Sequence, residues 1–182
     1  ISFDRKTGKK LWQTDLSGDD PEKAYPKNGH ASSTPTTDGE RVYVYLGNIG
    51  LAAIDFDGEV VWHNKLGPFQ AYHGTASSPL LHDGRLFLVQ DHGGASGSFV
   101  AAFDPATGKE LWRTKRDARV GWNSPVAIEA GDRSEIIVSG QAKVTAYEPA
   151  TGKELWFASG NTFEVIPTPV VAHGMVFCSS GR

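Results

Sequence analysis

The chain has 182 residues, enough for one domain with a sizeable core, and 18 basic against 21 acidic residues give it a net charge of −3. Both signs are scattered, so no basic stripe exists for a nucleic-acid groove, and no run of about 18 apolar residues exists to span a membrane. A lone cysteine, Cys178, excludes an internal disulfide and a thiolate metal cluster.

In chain order, the text reads as short strands separated by turns. "SFDRKTGKKLW" (2–12) is a strand, a turn and a second strand. Next come "STPTT" (33–37), the turn "DG", "RVYVYL" (41–46), the loop "GNIG", "LAAID" (51–55), the turn "FDG" and "EVVWHN" (59–64). The order then repeats: "SSPLLH" (77–82), "DG", "RLFLVQD" (85–91), the glycine-rich "HGGASGS", "FVAAFD" (99–104), "PATGK" and "ELWRTK" (110–115). Short β-branched and aromatic runs bounded by Gly, Pro and Asp predict strands, and no segment carries a sustained 3.6-residue apolar stripe.

Two markers share one period. Trp12, Trp62, Trp112 and Trp156 recur 50, 50 and 44 residues apart. Thr34-Pro35, Ser78-Pro79, Ser124-Pro125 and Thr168-Pro169 recur 44, 46 and 44 apart. A repeat of this length holding four strands predicts one blade of a β-propeller. The expected fold is all-β: a propeller of four-stranded antiparallel blades, present as an arc of about four blades from a seven- or eight-bladed ring. The phase predicts a half blade at 1–16, blades at 29–66, 73–115 and 121–158, and a half blade at 164–182, so the chain reads as a fragment.

The third-to-fourth turn has its own chemistry. Pro105 presets φ, Asp104 caps the turn, and Gly108 supplies a positive φ. Gly8 and Gly152 stand at equivalent places. Ser2, Ala53, Ala102 and Ala146 form a column of small residues, expected to face the indole of the next blade.

The string from Ala102 to Trp112, "AFDPATGKELW", resembles the tryptophan-docking motif of pyrroloquinoline-quinone-type (PQQ-like) propellers, A-x-D-x-x-T-G-x-x-x-W. Residues 146–156 match with Glu148 for Asp, residues 2–12 with Ser2 for Ala, and residues 53–62 with one deletion. The resemblance implies that Trp12, Trp62, Trp112 and Trp156 dock each blade on its neighbour. It also implies an extracytoplasmic, bacterial and periplasmic setting. The family includes quinone-dependent alcohol and glucose dehydrogenases and cofactor-free scaffolds such as the lipoprotein of the outer-membrane β-barrel assembly machinery. The motif is common to both and does not choose between them.

Strand direction places the first-to-second and third-to-fourth turns on one face. Everything irregular falls on the other, and residues just before each first strand crowd the channel mouth. The candidate ligand-binding residues there are His30, His73, Asp91, His92, Trp122, Asn123 and Gln141, with Glu164 beside them. Two His with Asp91 are the raw material of a transition-metal site, but their spacing does not require one, and no metal site is assigned. "GGASGS" (93–98) is followed by a strand rather than a helix and lacks the Lys-Ser/Thr ending, so it is not a phosphate loop. No Ser-His-Asp or Cys-His constellation can be assigned. The paired cysteines and carboxylate motifs of the dehydrogenases are missing. The expected function is therefore a non-catalytic binding or scaffold propeller with no cofactor, with a protein partner or small molecule on the channel-mouth face. The alternative is a segment of a quinoprotein dehydrogenase holding PQQ and calcium.

Overall fold

Period-two alternation interrupted by turn residues makes each strand pair with its immediate sequence neighbours. The computed structural model describes residues 1–17, 25–26, 29–92 and 97–181. Part of the expected glycine-rich loop (93–96) and part of the "YPKNGHAS" connection (27–28) lie outside them. Strands β1 (Ser2–Phe3) and β2 (Lys10–Trp12) form a hairpin. Three four-stranded antiparallel sheets follow, each in sequence order. The first holds β3 (Thr36–Thr37), β4 (Arg41–Tyr45), β5 (Leu51–Asp55) and β6 (Val60–Asn64). The second holds β7 (Leu80–His82), β8 (Arg85–Gln90), β9 (Phe99–Phe103) and β10 (Glu110–Lys115). The third holds β11 (Val126–Ala130), β12 (Arg133–Ser139), β13 (Lys143–Tyr147) and β14 (Glu154–Ser159). A last hairpin pairs β15 (Val170–Ala172) with β16 (Met175–Phe177).

The core lies between sheets, not within one. β8 and β9 are buried along nearly their whole length on both faces. Leu86 and Leu88 pack back against Tyr43, Tyr45 and Ala53 of the first sheet. Phe87 and Val89, one residue out of phase, pack forward against Ile136 and Val138 of the third. Ile137 and Ala146 then continue onto Val176 and Cys178 of the last hairpin. Such alternation is what a central blade requires, since each face of the pleat meets a different neighbour. β3 approaches β7, and β7 approaches β11, so the first strands are the inner ones. The result is an open propeller arc. Among the described residues β1 does not pair with β16, and Phe3, Leu11, Val170, Met175 and Phe177 are exposed at the two ends.

The recurring tryptophans reach into the following sheet. Trp12 Nε1 donates to the Phe56 carbonyl at 2.8 Å, Trp62 Nε1 to Pro105 at 2.9 Å, and Trp112 Nε1 to Pro149 at 3.0 Å. Each indole lies against the turn glycine of that sheet: Gly58, Gly108 and Gly152 in turn. Two residues after each Trp, the side chains of Thr14, Asn64 and Thr114 donate to the carbonyls of the same three glycines. Trp156 departs from this pattern and donates to the Glu135 carboxylate of its own sheet at 2.7 Å. The indoles are half-buried rather than enclosed, because they sit on outermost strands whose far side meets water.

The small column has a different partner from the one expected. Ala53, Ala102 and Ala146 are the direct cross-strand partners of Trp62, Trp112 and Trp156 within the same sheet, and Ser2 pairs with Trp12. At every one of these pairings the register slips by one residue. The slip is a β-bulge that leaves Leu11, Val61, Leu111 or Leu155 without an opposite residue and turns the indole onto the face of its Ala. The first strands are also shorter than the sequence pattern predicts, beginning after Pro35 and Pro79, which have no N–H to donate.

Candidate functional site

The Ser/Thr-Pro marker is a device for holding the inner strands together. The Thr34 N–H donates to Ser78 Oγ at 2.9 Å, the Ser78 N–H to Ser124 Oγ at 2.8 Å, and the Ser124 N–H to Thr168 Oγ1 at 3.5 Å. The residue before proline is kept extended and its amide points out of the ladder, so a hydroxyl on the next blade satisfies it. These links bring the connections that precede successive inner strands to one place.

There they enclose a cleft of about 420 Å³ whose walls include Tyr25, His73, Trp122, Glu164 and Ile166. Tyr25 meets the His73 ring edge-on with centroids 5.2 Å apart, and His73 lies 5.6 Å from Trp122. The Trp122 Nε1–H donates to the Gly74 carbonyl at 2.9 Å, which fixes the indole plane. The Trp122 main-chain N–H donates to Val165 O at 2.9 Å, and Gly121 pairs with Val165 as a parallel bridge. Glu164 holds a left-handed backbone, φ 59°, with its carbonyl accepting the Gly181 N–H at 3.0 Å.

Of the seven residues the sequence singled out, His73 and Trp122 meet in this cleft. His30 is exposed and does not line it. Asp91 is 3% exposed and wholly engaged: Arg116 Nε and Nη2 donate to its two carboxylate oxygens at 2.8 and 3.0 Å. Arg116 Nη1 donates to Tyr147 Oη at 2.7 Å, which ties the second sheet's connection to the third sheet. Burial opposes the Arg116 charge, and the facing Asp91 carboxylate more than offsets this, holding the guanidinium above its ordinary pKa. His92 is buried against Phe69, centroids 5.0 Å apart, and belongs to a separate cleft of about 390 Å³ with Arg113 and Lys115. Burial pushes its imidazole below the ordinary value. Asn123 is 1% exposed, with neither amide atom hydrogen-bonded among the described residues. Gln141 borders a narrow slot above Arg116.

Arg116 and Glu164 carry more of the arrangement than the sequence suggested. Nothing local marks Arg116 within "TKRDARV", because its partner lies 25 residues away. The described residues hold no group of three His, Cys, Asp or Glu placed to bind a metal. Among the described residues the cleft brings together aromatic rings and the side chain of Glu164.

Both halves of the chain, residues 1–97 and 96–182, match the family described as outer membrane protein assembly factor BamB. None of the curated proteins matches the sequence. Among solved structures, BamB from Moraxella catarrhalis superposes with a TM-score of 0.61 at 16% identity, covering 78% of this chain and 44% of that one. The computationally designed Ika8 protein superposes at 0.64 with 12% identity, covering 98% of this chain and 48% of that one. These likenesses show the fold, and the chain spans about half the length of each. With the family match running from end to end of a four-stranded propeller arc, the chain belongs to the outer membrane protein assembly factor BamB family of PQQ-like repeat propellers.

Proposed function

We propose that this chain is part of a non-catalytic binding or scaffold propeller that works outside the cytoplasm and takes a protein partner on its channel-mouth face. The observation that carries the reading is the convergence of His73, Trp122 and Glu164, from three successive blade connections, on one cleft. The opposite face offers tight turns such as those at Gly39, Gly58 and Gly84. Family membership supports a scaffold role in general terms. So does the chemistry of the candidate nucleophiles. Burial pushes the Cys178 thiol above its ordinary pKa, which disfavours the thiolate. His82 Nε2 and Ser134 Oγ lie 2.6 Å apart, but among the described residues no carboxylate orients the far side of that ring. The quinone alternative is less well served by the cleft. Trp122 is an aromatic lining residue, but among the described residues the cleft supplies one carboxylate, Glu164, where a calcium ion needs about six to eight oxygen ligands.

Site-specific photocrosslinking in the intact protein, in its native envelope, tests the reading. A benzophenone side chain at Tyr72, which is exposed beside the cleft, should give a discrete protein adduct, and one at Asp57 on the turn face should not. Adducts from Asp57 with none from Tyr72 would overturn it.

A further inference from the structure

We infer that the cleft at the channel mouth receives a cationic side chain, the guanidinium or ammonium group of an arginine or lysine on the partner protein. The inference rests on the reading of that face as the binding face and names what it binds. Among the described residues the charged one lining the cleft is Glu164, and neither Lys nor Arg lines it. Among the described residues the Glu164 carboxylate has no ion-pair or hydrogen-bond partner. Its backbone is nonetheless fixed. Its φ of 59° is a conformation that residues other than glycine seldom adopt, and its carbonyl and that of Val165 are both tied by hydrogen bonds.

Glu164, an exposed residue, shares the cleft with the aromatic rings of Tyr25, His73 and Trp122. The indole N–H is already used on Gly74, so Trp122 brings the cleft an aromatic ring with no free donor. A cation leaving water is compensated by a carboxylate and by π faces together. An anion would meet repulsion, and a neutral apolar group would cover Glu164 without pairing it. A guanidinium suits this pairing best, being flat enough to stack and forked to match a carboxylate. The rim argues for a side chain carried by a protein rather than a small free cation. Tyr72, Phe163 and Ile166, next to His73, Glu164 and Val165, are large apolar residues exposed by 74%, 51% and 59%. A partner surface would cover them as it delivered its charge, and a small ion would leave them in water.

The test uses the intact protein labelled with 5-fluorotryptophan, with the Trp122 resonance assigned by its loss in Trp122→Phe. Acetyl-Gly-Xaa-Gly-amide peptides are titrated with Xaa as arginine, lysine or citrulline, the last a neutral isostere of arginine. The arginine and lysine peptides should shift the Trp122 signal. The citrulline peptide should bind at least fivefold more weakly, and Glu164→Gln should weaken the arginine peptide by about fivefold while the circular dichroism spectrum stays unchanged. Equal binding of the arginine and citrulline peptides, an unaffected Glu164→Gln variant, or no binding by any peptide would each overturn the inference. If no cationic peptide binds while the Tyr72 crosslink still forms, the cation inference fails and the binding face stands. If crosslinks come only from Asp57, the binding face itself fails.

Discussion

Gly152→Ala should cost far more stability than Gly131→Ala, although the two glycines share one sheet and nearly one backbone conformation. Gly131 has φ 70° and Gly152 φ 72°. Alanine in that region costs roughly 1 kcal/mol from sterics alone. A Cβ at Gly131 meets nothing within 4 Å, so Gly131→Ala should cost about 1 kcal/mol. A Cβ at Gly152 would stand 2.6 Å from Trp112 Cζ3 and 2.7 Å from Thr114 Oγ1. The indole must move off the turn and release its 3.0 Å hydrogen bond to Pro149 O. Overpacking of this kind adds about 1–3 kcal/mol, and the lost hydrogen bond about 1 more. Gly152→Ala should then cost about 3–5 kcal/mol in total. Urea unfolding followed by far-ultraviolet circular dichroism measures both, and a double-mutant cycle with Trp112→Ala locates the source. With the indole removed, the cost of Gly152→Ala should fall by most of its excess over Gly131→Ala, the remainder coming from the contact with Thr114 Oγ1. Equal losses for the two glycines, or a Gly152→Ala cost that Trp112→Ala leaves unchanged, would refute interblade contact as the reason this turn needs glycine.

Three further outcomes can be checked. Asp91→Asn should destabilise by about 3–5 kcal/mol, because it leaves the buried Arg116 guanidinium without its counter-charge, and Asp91→Leu with Arg116→Leu should recover part of that loss in the same melts. Ser78→Ala should speed hydrogen exchange at the Thr34 amide and cost about 1 kcal/mol, whereas Ser78→Thr should be tolerated, since Thr34 and Thr168 occupy the same column. His92 has a depressed folded-state pKa, so the unfolded chain binds its proton first. Wild-type stability should therefore fall as pH drops below about 6.5, and His92→Gln should show a shallower fall in melts across pH 7 to 5.

The sequence alone was enough to specify the blades, because blade structure is local. Period-two alternation, the "PATGK" turns and two markers of one period all report contacts between neighbouring strands. The strand at 51–55 and the one at 110–115 were legible to the residue. It also exposed the Trp and Ser/Thr-Pro columns, because each repeat presents the same contact again. Tertiary structure decided what those columns touch. The alanines pair with their own indoles across a bulge, and the hydroxyls take the previous blade's amide, neither of which spacing can express. It also separated the candidate site residues. Asp91 and His92 are adjacent in sequence, yet one is consumed by Arg116 and the other turns toward Phe69 in a different cleft. His73, Trp122 and Glu164 are tens of residues apart and converge, because the inner strands bring successive connections to a common axis. Strand pairing is written in nearest neighbours along the chain. A cleft between blades depends on the angle at which sheets stack, and that angle is set by the summed packing of side chains such as Leu88 and Phe87 on opposite faces of one strand.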